Sequence, residues 1–437
     1  MMKKIEAFCS SRIVVFLVSC LYVLSLVNLL ANYASVEWAI YGYSYSEIEF
    51  IDLLILTAIL ITWALVVPKR IDRPSSLVLI IIYIFVCLPA VVAILGFEKI
   101  PTNKYYLLLL VLTLGFSLSC LLTKGFKRYS FDSAREYSKK FIPFLIFLWV
   151  ISFGVLLYTS ASLMNFAGLD SIYEQREIGA AKNLFEGYIQ TYFGYVISPA
   201  LVVIGMHRKN YLYVGLGFIG ALVLYLITAE KAVITYPVFI IAFFYILNIK
   251  ANCYNTAVFI MLLFSLFLFF AVNFYERNEA AAFVAWYLGI RTLLIPGAFI
   301  VHYADYFSET GYTYLTHVSG ISSFINIPAQ YLTDARWPSL GLLVGEDYLN
   351  IPTLNANANF MASDGLASYG VVGLFISLML FAIFLIVLDK ATQGIKNSIS
   401  LPILLPIALT LTNGSLFTVL VSFGGLFWII VFKLFFQ

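Results

Sequence analysis

The sequence predicts an all-α polytopic membrane protein: one integral domain over residues 1–437, about twelve transmembrane helices and two large external loops. Three observations predict it. Of the 437 residues, 62% are hydrophobic and 11% charged, against roughly a quarter charged in soluble domains. Apolar runs of about twenty residues recur from end to end, each long enough to cross a bilayer as a helix. No alternating ten-residue strands of a membrane barrel appear, and backbone in lipid must bond to itself, so helices are the expected form.

The first apolar run follows Arg12 and continues to Leu30. It is too long for the core of a cleavable signal, and reads as a first span at 12–33. Further spans are expected at 49–67, 76–97, 105–122, 141–158, 188–206, 211–228, 232–249, 255–275, 366–388, 400–413 and 415–436. The span 400–413 is short and contains Pro402 and Pro406. Twelve spans return the C-terminus to the starting side.

Basic loops stay cytoplasmic. With the N-terminus inside, 18 of the 26 Lys and Arg fall on the inner side, in stretches such as KRIDR at 69–73, KGFKR at 124–128 and HRK at 207–209. The outer side keeps Lys99, Lys104, Arg176, Lys182, Lys231, Arg277, Arg291 and Arg336, with 18 of the 23 acids. Both termini are therefore expected in the cytoplasm.

Two outer segments are long, 159–187 and 276–365. The second contains AAAFVAWYLGIRTLLIPGAFIVHY, apolar enough to touch lipid. A single crossing there would reverse 366–388 and put DKATQGIK outside. The stretch 281–306 is thus expected to be re-entrant or interfacial, broken near Pro296–Gly297. No internal repeat or soluble domain is apparent.

Cys9, Cys20, Cys87, Cys120 and Cys253 form no CxxC, and none falls in an outer loop. Disulfides and structural zinc are not expected. HExxH, DxD and GxxxxGK are absent, so no metal or cofactor is expected. Nothing points to nucleic acid.

The outer cations carry the candidate chemistry. In YEQREIGAAKNLFEG, Arg176 and Gly187 stand eleven residues apart, three helical turns, on one face if helical. Glycine there would allow close packing. A guanidinium fork suits phosphate oxygens; the alternative is a surface arginine paired with Glu174 or Glu177. Lys231 in TAEKAV and Arg277 in FYERNEA have Glu230 and Glu276 beside them, so exposed ion pairs are the alternative. Arg291 in YLGIRTLLIPG has no acid within ten residues, and a cation among apolar residues is costly unless it serves a site. Such a set calls for an anionic partner, which a lipid pyrophosphate would satisfy.

Candidate bases are Asp170 with Glu174, four apart, and His302 with Asp305, three apart, each pair on one helical face. The alternative is solvated loop acids and a polar interfacial histidine. In LNANANFMASDGLASYGVVG, Asn357, Asn359 and Asp364 are candidate sugar contacts. Helix capping by Asn359 or Asp364, with small-residue packing at Gly365, Gly370 and Gly373, is the alternative.

Three stretches resemble the Wzy-type oligosaccharide repeat-unit polymerases, which include O-antigen polymerases. They are Arg176-x10-Gly187 in a large outer loop, RTLLIPGAFIVHYADYF, and NANFMASDGLASYGVVG opening a late span. The family pattern is often described with two RX10G loops. Here Arg277 meets Gly289 one residue late, and Arg291 and Arg336 have no glycine at that spacing.

The resemblance implies a glycosyltransferase of the bacterial cytoplasmic (inner) membrane, with a GT-C-like helical architecture. Its substrate would be an oligosaccharide linked to undecaprenyl pyrophosphate at the outer leaflet. The growing glycan would pass onto a single lipid-linked repeat, building O-antigen of lipopolysaccharide or another surface polysaccharide. A chain-length regulator would be a partner. Arg176 and Arg291, helped by Lys231 or Arg277, would neutralise the pyrophosphate, and His302, Asp305 or Glu174 would deprotonate the attacking hydroxyl. The alternatives are an O-antigen ligase, a lipid-linked oligosaccharide flippase and a scaffold protein.

Overall fold

A computed structural model describes residues 11–97, 102–125, 135–166, 168, 172–180, 183–248 and 256–436. The described residues form helices and connecting loops, with no strand beyond two isolated bridges. Among the described residues ten helical segments, with Leu416–Phe435 taken as one, are long and apolar enough to cross a membrane. In chain order the helices used below are α1 (Arg12–Glu37), α2 (Phe50–Val66), α3 (Pro74–Gly96), α4 (Thr102–Lys124), α5 (Phe141–Ser160), α6 (Ile172–Ile178), α7 (Leu184–Arg208), α8 (Tyr211–Thr228), α9 (Lys231–Asn248), α10 (Thr256–Phe274), α11 (Glu279–Thr310), α12 (Met361–Ala391), α13 (Asn397–Thr410), α14 (Leu416–Val421) and α15 (Gly425–Phe435). Helices α2, α9 and α13 are the shorter apolar ones.

Helix α3 is the most enclosed element. It packs on α11, α12 and α13, and nearly all of it is buried. Its middle turn holds an aromatic knot: Tyr83 stacks on Phe116 at 6.0 Å, and Trp63 meets both edge-on. Peripheral helices turn apolar side chains outward instead, such as Phe147, Val150 and Ile151 on α5 and Ile219 and Leu222 on α8. A soluble protein would hide these; lipid solvates them.

Prolines shape three helices in one way. A proline cannot donate to the preceding turn, and its ring presses on the carbonyl four residues back. In each case a widened π-turn lies just upstream: Tyr83–Cys87 before Pro89, Phe193–Ile197 before Pro199, and Ala285–Leu294 before Pro296. The extra residue in the turn accommodates the missing bond.

This changes the expectation for 281–306. The helix is not broken near Pro296–Gly297: the π-turn absorbs the proline, and α11 runs on to Thr310. Its middle packs inside the bundle, with Gly289 against Leu29 and Gly297 against Pro89 and Ala90. Near its start Trp286 stacks on Trp38, which follows α1. Near its end His302 meets Gly42 and Phe97. Ser46 donates to Gly96 O at 2.8 Å, so Trp38, Gly42 and Phe97 belong to one end of the bundle.

Two late spans also depart from single straight helices. Helix α12 kinks at Tyr369 and Gly370 (φ 61°). The freed carbonyls of Ala367 and Ser368 accept from Thr313 N at 2.8 Å and Tyr314 N at 3.2 Å. The expected span 415–436 is two helices, α14 and α15, parted at Gly424 (φ 82°).

The opposite end is tied by arginines. Arg12 donates to Ala64 O and Val67 O at 2.9 and 2.7 Å. Arg135 reaches the carbonyls of Gln393 and Phe432 at 3.2 and 3.1 Å, and that of Phe436. Each thereby satisfies carbonyls at or just beyond a helix C-terminus, where intrahelical partners run out.

Candidate functional site

The site begins with how α6 is held. Helix α8 ends at Thr228, and its last carbonyls have no intrahelical donors. The Gln175 amide supplies them, reaching Ile227 O at 3.0 Å, Leu226 O at 3.1 Å and Leu163 O at 2.8 Å. One turn on, Gly179 lies flat against that helix end: a Cβ there would stand 1.9 Å from Ile227 O. Gln190 then donates to Gly179 O at 3.2 Å, tying α7 to the same knot. Arg176 is thus carried to the α8–α9 turn.

The expectation that Arg176 and Gly187 share one helix face is not met. They lie on two helices, α6 and α7, and Asn183 caps the second by accepting from Glu186 N at 2.9 Å. Gly179 is a glycine of close approach.

The turn itself is tight. Ala229 adopts a left-handed conformation (φ 51°) and donates to Tyr225 O at 2.8 Å, ending α8; Lys231 opens α9. The positive charges of Arg291 and Arg176 both act on the Lys231 ammonium. That of Arg176 also reaches the phenol of Tyr195. Lys231 on α9 is thus within electrostatic reach of Arg176 on α6 and Arg291 on α11. Among the described residues neither Lys231 nor Arg291 forms an ion pair with an acid. Arg291 is exposed, its guanidinium 5.7 Å from the Trp286 ring centroid.

Two details favour an anion there. Lys231 occupies the first turn of α9, which contains no acid. A cation at a helix N-terminus meets the positive end of the dipole, and a bound anion would offset both. Tyr195 and Arg291 also sit in two of the proline-linked π-turns, a geometry frequent at functional sites.

The neighbouring carboxylate belongs to Glu230. Its Oε2 accepts from Tyr195 Oη at 2.9 Å, and no ion pair joins it to Lys231 among the described residues. Arg277 lies exposed in the turn after α10, and the charges acting on Lys231 do not include it.

The other candidates fall into separate places. His302 is 2% exposed, its ring among Phe97, Phe299 and Tyr348, with both nitrogens unbonded. Asp305 is fully buried and accepts from Tyr105 Oη at 2.8 Å and Tyr348 Oη at 3.1 Å. Neither faces an open surface. Burial, then the Asp305 charge, raises the Tyr348 phenol above its ordinary range and keeps it a donor. Glu174 is exposed on α6, and Asp170 and Lys182 lie outside the described residues.

Asn359 spends both side-chain functions on the fold. Its amide donates to Pro296 O at 2.7 Å, and its carbonyl accepts from Met361 N at 3.1 Å, capping α12. Asp364 accepts from Leu416 N at 2.6 Å and lies 3.8 Å from His317, whose Nδ1 is 3.0 Å from Thr313 Oγ1. Asn357 is exposed in the loop before α12. Arg336 is bound by Asp334 and Asp347 at 2.6 Å each and by Glu346 at 3.2 Å, a closed network.

The charge on Lys231 shows what reading the residues in order missed: Glu230 is spoken for by a tyrosine on another helix. His317 carried no signal in its neighbourhood. Among the described residues no group of three or more His, Cys, Asp or Glu could hold a metal ion. Comparison with family models, curated proteins and solved structures finds no match for this chain.

Proposed function

We propose that the chain is a membrane glycosyltransferase that joins oligosaccharide repeats carried on a polyprenyl pyrophosphate, undecaprenyl pyrophosphate in a bacterium. It would act at the outer leaflet of the cytoplasmic membrane, with both termini inside. One observation carries the reading: Lys231 is within electrostatic reach of Arg176 and Arg291, and among the described residues neither Lys231 nor Arg291 has an acid partner. A doubly charged diphosphate bridging them would supply the missing anion. As the sugar–phosphate bond breaks, negative charge grows on the leaving diphosphate, and fixed cations stabilise that state more than the ground state. The apolar outer faces of the bundle would hold the prenyl chain.

The distribution of charge favours this reading over a flippase. A transporter places polar groups along its path through the spans, whereas these cations gather at one end. A ligase shares the donor chemistry, and its acceptor differs.

The test is removal of the gene, followed by gels of surface glycan beside extracted lipid-linked intermediates. Loss of the long ladder while one repeat still reaches its final acceptor supports the polymerase. Accumulated lipid-linked polymer with nothing on the acceptor indicates a ligase. Single repeats trapped on the inner leaflet indicate a flippase. Complementation with Arg176→Ala at normal abundance and normal polymer length would remove the phosphate role assigned to this arginine.

A further inference from the structure

We propose that Glu230 is the general base of the transfer, a role that rests on the transferase reading above. The bond to be broken joins a sugar's anomeric carbon to the diphosphate. The attacking hydroxyl must therefore arrive beside the phosphate-binding cations, and its base must stand there too. His302 and Asp305 sit in an aromatic enclosure formed by α11, Phe97, Tyr105 and Tyr348. Glu230 is the residue before Lys231, with Cα atoms about 3.8 Å apart.

Its carboxylate is positioned rather than merely present. The left-handed Ala229 turns the chain sharply between α8 and α9. Thr228 Oγ1 accepts from Glu230 N at 3.4 Å. The Tyr195 phenol then holds Oε2, and its own ring is fixed edge-on by Tyr236 at 5.3 Å and Phe423 at 4.7 Å. The bond to Oε2 leaves Oε1 for a second partner. Glu230 is half-buried, so a substrate can reach it.

The step balances. The acceptor hydroxyl gives its proton to Glu230 Oε1 as its oxygen bonds to the anomeric carbon. The bond from that carbon to the phosphate oxygen breaks, and its electron pair leaves with the lipid diphosphate on the three cations. Tyr195 is a positioning residue: it holds the carboxylate and touches no reacting atom.

The simpler role for Glu230 is a counter-charge that keeps the cations in place, and kinetics distinguish the two. The protein would be purified in nanodiscs and supplied with a synthetic polyprenyl-diphosphate-linked oligosaccharide. Glu230→Gln preserves shape and hydrogen bonding and is expected to lower kcat by about 10²–10⁴-fold with KM little changed. Tyr195→Phe keeps the ring packing and is expected to lower kcat less. Glu230→Asp, which restores a carboxylate, should recover part of the loss. If the Gln variant fails to assemble, the Asp and Phe variants carry the test, and unchanged kcat in both overturns the proposal. Wild-type kcat in Glu230→Gln, or a lower KM at unchanged kcat as a counter-charge predicts, overturns it as well. A wild-type protein that binds the lipid-linked sugar without joining repeats overturns the transferase reading, and this proposal with it.

Discussion

Arg291 is the cation whose setting says most about its use. It lies in the π-turn before Pro296, exposed, near the Trp286 ring and within electrostatic reach of Lys231. A cation–π contact at an exposed site is worth about 0.5–1 kcal/mol, too little to explain three gathered cations. Arg291→Ala is therefore expected to lower polymer formation about 10²–10³-fold, as loss of one transition-state donor does. Arg291→Lys should keep charge, lose the fork and fall between. Wild-type chain length in Arg291→Ala membranes of equal protein content would refute this. The residue stood out in the sequence because no acid lay near it. Glu230 did not stand out, because its partner Tyr195 is 35 positions away. Local charge pairing is visible in a sequence; which helix supplies a phenol is decided by packing.

At the scale of elements, the site depends on a seven-residue helix docked on the end of a longer one. Gly179 is where that dock leaves no room for a side chain. Gly179→Val must push α6 off the α8 terminus, with an overpacking cost of about 1–3 kcal/mol. The bundle should survive while Arg176 leaves the other cations. Hydrogen exchange should then rise in 172–180 and not in α3, with activity lost; unchanged protection there would refute the dock. The sequence pattern did not single out this glycine. Arg176 and Gly187 fit one helical face, but Gly179 and the capping Asn183 end one helix and begin another, and local chemistry overrode the spacing. The apolar spans were legible because a bilayer demands long apolar helices whatever their neighbours. Kinks at Gly370 and Gly424 were not, since they depend on what crosses beside them.

The loop around Arg336 makes a pH prediction at the same scale. The Arg336 guanidinium holds the Asp334 carboxyl below its ordinary range, and the two aspartates raise Arg336 further. A carboxyl depressed on folding adds stability above its unfolded value, roughly 3.9, and that stability is lost as pH falls through the folded value. The pairs are partly exposed and so screened by solvent, and the effect should be local. Trp337, stacked on Tyr331 at 4.8 Å, reports it. The fluorescence difference between wild type and Trp337→Phe should hold from pH 7 to 5 and change below pH 4. A constant difference down to pH 3 would dissolve the argument.

For the whole molecule, the decisive question is how α11 lies. Its 32 residues would reach about 48 Å along a helix axis, more than the roughly 30 Å of a bilayer core. Length and composition alone therefore suggest a crossing. Its contacts argue otherwise, because Trp38 near its start and Gly42 and Phe97 near its end share one end of the bundle. The arginines at the other end, Arg12 and Arg135, cap helix termini, while Arg176, Lys231 and Arg291 gather where the proposed substrate would be. A helix crossing the membrane would put its ends on opposite sides and would separate Arg291 from one of these settings. Glu279 and Glu309 are exposed at its two ends. In a chain freed of its native cysteines, Glu279→Cys and Glu309→Cys should both react with a membrane-impermeant maleimide from the outside of intact cells. Gln393→Cys, beside Arg135 at the other end, should react only after the membrane is opened. If Glu279→Cys and Glu309→Cys label from opposite sides, α11 spans, and the order of every later helix reverses. If Gln393→Cys instead labels intact cells and the other two react only after the membrane is opened, the bundle is inverted and the cation cluster faces the cytoplasm, where an outer-leaflet substrate could not reach it.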